Sequence, residues 1–120
     1  MTFMEILARV VDATPGALAG AIMGSDGIAV EDYVRPGAKV DLPAVAVEFL
    51  AVLEGARKVA RQLESDGSLD ELVLASHAHT LFFRQLDDEY FLVLALEPSG
   101  MLGKARYLVR SLMDELRERL

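Results

Sequence analysis

The sequence predicts an α+β domain whose elements run in the order α-β-β-α-β-β-β-α. Three segments carry apolar residues at three- and four-residue spacing, and five carry short alternating or continuous apolar runs, the periods of helix and strand respectively. The five short runs fall into a pair and a triplet joined by only a few residues. Such connections are too short for the crossover that parallel pairing needs, so the strands are expected to pair antiparallel.

Phe3, Met4, Ile6, Leu7, Val10 and Val11 make the first helix, which Pro15-Gly16 stops. Residues 17–23 form a compact apolar strand with Gly20 inside it, Ser25-Asp26-Gly27 a tight turn, and residues 28–34 the second strand of a hairpin. In that turn Asp can bond to the backbone and Gly can supply positive φ. Residues 35–41, with Pro36-Gly37, are a loop; Asp41 is placed to cap the next helix, and Pro43 sits in its first turn, where a missing N–H does no harm. That middle helix is expected over residues 43–64, ending near Ser65-Asp66-Gly67. Strands at 69–77, 80–86 and 90–96 follow as a meander, and residues 91–96 contain no polar side chain, the mark of a central strand covered on both faces. After Pro98-Ser99-Gly100 a last helix puts Met101, Ala105, Leu108, Val109, Leu112, Met113, Leu116 and Leu120 on one side. No linker or repeat divides the 120 residues, so they are read as a single domain.

The middle helix is apolar on two sides. Val45, Phe49, Val52, Leu53, Ala56, Val59, Ala60 and Leu63 are read as the long stripe that covers a sheet. Val47, Leu50 and Ala51 lie roughly opposite, and this second patch stops where Glu54, Arg57, Lys58 and Arg61 begin. A lone domain would leave the patch wet, so it is expected to meet another surface, most simply a second copy of the chain. The competing reading places the patch under the 35–40 loop of the same subunit.

Composition narrows the partners. A formal charge of −7 argues against nucleic acid, which is bound mainly through clustered Lys and Arg, and against an anionic membrane surface. The absence of cysteine excludes disulfides and thiolate metal sites and fits a cytoplasmic setting. The first residues lack the basic stretch of a signal peptide, and no apolar run approaches the roughly 20 residues of a spanning helix.

The element order, together with Gly20-Ala-Ile-Met-Gly-Ser-Asp-Gly-Ile-Ala-Val30, Leu72-Val-Leu-Ala-Ser76 with residues 81–83 after it, and Tyr90-Phe-Leu-Val-Leu94, resembles the Roadblock (dynein light-chain roadblock) superfamily, in particular its bacterial type similar to mutual gliding-motility protein B. The resemblance covers almost the whole chain. It implies a profilin-like fold: a five-stranded antiparallel sheet with the middle helix on one face and the terminal helices on the other. It also implies a homodimer in which the middle helices pack together and the sheets join through the third strand, here residues 69–77. On that basis the interface is expected to use Val47, Leu50, Ala51, Glu54, Arg57, Lys58 and Arg61 of the helix and Leu72, Leu74 and Ser76 of the strand. The partners implied are a second copy and a small Ras-like GTPase, which family dimers activate, recruit or scaffold. Because the sequence stops at Leu120, the C-terminal extension by which some activating members touch their GTPase is not expected, which favours binding over activation.

The chemical candidates are weaker. Gly100-Met-Leu-Gly-Lys104 has Pro98 and Ala105 where a phosphate loop has Gly and Ser or Thr. His77 and His79 would need converging carboxylates to hold a metal. Asp87, Asp88 and Glu89 have no apolar pocket that would raise one pKa, and Ser76 has no orienting third group beside the histidines. Arg57, Lys58 and Arg61 suggest an arginine finger, against a solvated flank paired with Glu54 and Glu64. No catalytic residue, metal or cofactor is therefore expected, and the protein is read as a non-enzymatic regulator or scaffold. The alternatives are a structural adaptor without effect on GTP turnover and a domain that senses a small molecule.

Overall fold

A computed structural model describes residues 1–63 and 66–120. Helix α1 (Phe3–Ala13) is followed by strands β1 (Ala17–Gly24) and β2 (Ala29–Val34), helix α2 (Leu42–Gln62), strands β3 (Glu71–Ala75), β4 (Thr80–Gln85) and β5 (Tyr90–Leu96), and helices α3 (Leu102–Ser111) and α4 (Met113–Glu118). The last expected helix is thus two, broken at Leu112, which caps one and starts the other. The strands form one antiparallel sheet in the order β2-β1-β5-β4-β3.

Local chemistry explains where the elements begin and turn. The Thr2 hydroxyl accepts from Glu5 N at 3.1 Å and opens α1. At its other end the Arg35 guanidinium donates to the carbonyls of Val11 and Thr14, which also accept from Thr14 N and Ala17 N, and so ties the end of β2 to the helix terminus. In the first hairpin Gly27 has φ +87° and Asp26 Oδ1 accepts from Ile28 N at 3.0 Å, the division of labour that the Ser-Asp-Gly turn predicts. Asp41 caps α2 by accepting from Ala44 N at 3.3 Å.

Two cores lie on the two faces of the sheet. Ile6, Leu7, Val10 and Val11 of α1, with Ala105 and Val109 of α3 and Met113 and Leu116 of α4, cover Ile22, Phe82, Leu92, Leu94 and Leu96. Gly20 lets α1 close on this face, since a Cβ there would stand 2.8 Å from Leu94 and 3.3 Å from Val11. On the other face Leu42, Ala46, Phe49 and Leu53 of α2 cover Ala19, Ala21, Met23, Phe83, Phe91, Val93 and Ala95. Phe83 anchors that core, with ring centroids 6.4 Å from Phe49 and 5.2 Å from Phe91. The alternation of residues 91–96 between both cores makes β5 the central strand, as its unbroken apolar run predicts.

The covering ridge of α2 differs from the stripe read in the sequence. Phe49 and Leu53 belong to it, but its other members are Leu42 and Ala46, whereas Val45, Val52, Val59 and Leu63 are exposed. The helix begins at Leu42, one residue before Pro43, and Leu42-Ala46-Phe49-Leu53 is a complete ridge at spacings of four, three and four. A stripe drawn without Leu42 and Ala46 has its centre shifted toward the valines.

Candidate partner interface

Helix α2 packs mainly over β1, β5 and β2 and reaches β4 at Phe83 through Phe49 and at Gln85 through Arg57, leaving Leu74 of the edge strand exposed on the same face. A groove results. The adjoining flank of α2 carries Val45, Val52, Val59 and Leu63, with exposures of 39%, 44%, 61% and 76%, and of these Val45 borders the groove beside Leu74 and Leu81. Its floor is set by register: Leu72 pairs with Phe83 and Leu74 with Leu81, so these four side chains share the α2 face. Leu74 is exposed and Leu72 half-buried. At the end nearest the start of α2 the groove deepens to a cavity of about 350 Å³ between Val40, Val45, Leu74, Leu81 and Ala95, with Lys39, Asp41, Ser76 and His79 at its rim.

The opposite side of β3 is tied down at Glu71, while Val73 and Ala75 on that side stay exposed. Glu71 receives Arg106 Nε at 2.8 Å, and the same guanidinium stands 5.6 Å from the centre of the Phe82 ring. The edge strand is therefore held at Glu71 from the α3 side and carries an exposed apolar residue on each face, Val73 on one and Leu74 on the other.

The sequence-expected residues divide between the two flanks of α2. Val47 and Leu50 face the β1-β2 turn, Leu50 half-buried and Val47 exposed; their side chains come to 3.8 Å and 3.4 Å from where a Cβ on Gly27 would stand. The intrasubunit cover weighed for this patch is thus the hairpin tip rather than the 35–40 loop, and it is partial. Ala51 is exposed. Glu54 and Arg61 pair at 3.6 Å with both side chains about half exposed, a screened contact of little energy. Arg57 Nη2 donates to Gln85 Oε1 at 3.2 Å, and Lys58 is exposed. Glu64, weighed as a partner for this charged stretch, and Ser65, expected near the helix end, lie outside the described residues. Leu72, Leu74 and Ser76 are at the groove, as placed on β3 and just beyond it.

The polar candidates serve turns. Ser76 Oγ donates to His79 O at 3.0 Å and accepts from His79 N at 3.1 Å, closing the β3-β4 turn. Asp87 Oδ1 accepts from Glu89 N and Tyr90 N at 2.9 and 2.8 Å. Among the described residues there is no group of three or more His, Asp or Glu placed to hold a metal ion, and no helix long and apolar enough to cross a membrane.

Sequence reasoning missed Val45, Val52, Val59 and Leu63 as a free surface. The signal was present in the seven-residue spacing of the three valines beside a separate, complete ridge. Seven-residue spacing is the repeat of a seam between two helices rather than of a helix on a sheet.

No family model matches the chain, and neither does any curated protein. Solved structures do. MglC from Myxococcus xanthus is 34% identical over 100% of both chains, with a TM-score of 0.73. The gliding protein MglB from Thermus thermophilus is 18% identical, over 96% of this chain and 85% of its own, at a TM-score of 0.85. A Roadblock/LC7 domain from Streptomyces avermitilis is 15% identical over 98% and 97%, at 0.73. The last two likenesses are of fold alone.

Proposed function

We propose, because this chain belongs to the Roadblock superfamily, that it acts as a homodimeric regulator or scaffold that binds a small Ras-like GTPase and carries out no covalent chemistry itself. The observation that carries the proposal is the exposed apolar flank of α2, whose Val45 shares an open cavity with Leu74 and Leu81 on the face of the β3 edge. Four large aliphatic side chains in one row on a single helix flank are a contiguous patch of the kind that marks an interaction surface. The edge strand adds unpaired backbone groups that a second strand can satisfy. A second copy supplies both elements at once, and a two-fold axis buries each residue twice. The surface that such a pair creates, rather than any pocket within one copy, is where a GTPase would dock.

The groove also bears on the rival readings. Its cavity could admit a small apolar molecule, and a dimer without any GTPase would be an adaptor. The experiment that separates them begins with affinity capture from the source lysate loaded with a GTP analogue or with GDP. A small GTPase retained in one nucleotide state supports the proposal, and its GTP hydrolysis with and without this protein then tells activation from scaffolding. Recovery of motor or envelope proteins in both states, with no GTPase, overturns it in favour of the adaptor. A small molecule retained through native mass spectrometry would point to sensing.

A further inference from the structure

Two arginines reach consecutive residues of β4 from opposite layers of the molecule. Arg57 of α2 donates through Nη2 to Gln85 Oε1 at 3.2 Å, and Arg117 of α4 donates through Nε to the Leu86 carbonyl at 2.8 Å. Arg84 precedes these acceptors on the strand, and Arg61 stands one turn beyond Arg57 on α2. All four arginines line one polar cavity of about 480 Å³ at the Glu71-Arg84 end of the β3-β4 pair, away from the groove beside Leu74 and Leu81. We infer that this cavity binds a small molecule carrying a phosphate group, held by Arg57, Arg84 and Arg117 with Arg61 at the mouth.

The contacts of these guanidiniums orient them and leave their charge available. Gln85 and the Leu86 carbonyl are neutral acceptors, so Arg57 and Arg117 are fixed in place without being neutralised. Arg84 stands 3.8 Å from Glu71, a carboxylate that already receives Arg106 Nε at 2.8 Å. Arg61 stands 3.6 Å from Glu54, and with both side chains about half exposed water screens the pair. The Arg61 side chain lies across Gly67, where a Cβ would come within 2.9 Å of Nη1, so the bare glycine gives the guanidinium its place.

The carboxylates of the same lining define what the cavity admits. Asp66 Oδ1 accepts from Ser68 N at 2.8 Å and Asp87 Oδ1 from Glu89 N and Tyr90 N at 2.9 and 2.8 Å, so both are engaged in turns. Asp70 and Asp88 are exposed at the rim. A mixed rim on a chain of formal charge −7 repels an extended polyanion and leaves the guanidiniums to a compact one. Each guanidinium offers a planar fork of N–H donors that matches two oxygens at a time, and a tetrahedral phosphate presents enough oxygens to engage several forks, which a carboxylate does not. The volume falls within the range of about 300–1,000 Å³ usual for small-molecule pockets, so an organic group attached to the phosphate also fits. A ligand that bridges Arg57 and Arg117 joins the helices on the two faces of the sheet, and its binding therefore stabilises the fold.

The test uses the whole chain and needs no GTPase. Inorganic phosphate and adenosine monophosphate are titrated separately into the isotope-labelled protein and followed by NMR, with sodium chloride at matched ionic strength as the reference. The expected result is a saturable shift of the backbone amides of residues 66–70 and 84–88, with a thermal midpoint raised above that in chloride. Tighter binding of the monophosphate than of inorganic phosphate assigns the site to a phosphate ester, and equal binding assigns it to the free ion. Arg57→Gln and Arg117→Gln should each weaken binding by about tenfold or more, the loss of one charge-assisted contact. Lys104→Gln removes the same charge from an exposed position on α3 and should leave binding unchanged. A wild-type protein that gives no saturable response to either phosphate overturns the site. So does an equal loss in Lys104→Gln, which would make the effect one of net charge, or wild-type binding in folded Arg57→Gln and Arg117→Gln.

Discussion

At the scale of single residues, Tyr33 shows how a side chain off the interface is held. It projects from β2 toward α1, and its hydroxyl donates to Asp12, with 2.9 and 3.0 Å to the two carboxylate oxygens. That bond is the main cause of a raised pKa for the phenol, with burial and the Asp12 charge adding to it and Arg35 opposing. A pKa raised in the folded state stabilises the fold fully below the ordinary tyrosine range, and the contribution is lost as pH rises through the folded value. Phenolate absorbance should therefore contain a component that titrates above the ordinary range and disappears in Tyr33→Phe. The variant should also lose less stability between pH 9 and pH 11, about one unit either side of the ordinary value near 10. An unchanged titration would mean that the Tyr33-Asp12 bond does not form in solution.

At the scale of elements, α2 turns one face to the sheet and leaves an apolar flank exposed beside it, and neighbouring residues separate the two. Leu53 is fully buried over the sheet, whereas Val52 is exposed on the groove flank. Leu53→Ala should cost about 2–5 kcal/mol of stability by urea denaturation, the usual range for a large aliphatic core residue, and leave the dimer in place. Val52→Glu should give a monomer by light scattering that still unfolds cooperatively. A Val52→Glu protein that remains dimeric would remove this flank from the interface. The same two residues mark how far the sequence could be read. Periods of two and of three to four, turn chemistry at Asp26-Gly27 and the Asp41 cap were local, so strand number, strand pairing and element order were legible. Which flank of α2 met the sheet was not, because Val, Ala and Leu surround that helix nearly all the way round and hydropathy alone does not distinguish a buried ridge from an exposed seam. The patch of Val47 and Leu50 was recognised as apolar. Its contact with Gly27 depends on where the hairpin tip folds back, a tertiary fact with no local sign.

At the scale of the whole molecule, the two sheet edges are unlike, and the difference selects where a second copy can pair. Strand β2 has a bulge opposite Ile22-Met23 and carries Glu31 and Asp32, features that discourage strand addition. Strand β3 reads Glu-Leu-Val-Leu-Ala, with its one charge tied to Arg106. Exposed as a monomer it would be a short, apolar, unprotected edge. In the proposed dimer, pairing through β3 would protect this edge as well as build the interface, and the folded state should be linked to association. Linkage has a direct signature: a dimer that dissociates on unfolding gains stability with concentration, about 1.4 kcal/mol per dimer for each tenfold increase. Shared between two protomers of this size, that should raise the thermal midpoint by about 2–4 °C per decade of protein concentration. Val52→Glu, with the seam broken, should melt at one temperature whatever its concentration. Scanning calorimetry across two decades of concentration measures both slopes, and a flat wild-type profile above the dissociation constant would show that the copies do not stabilise one another.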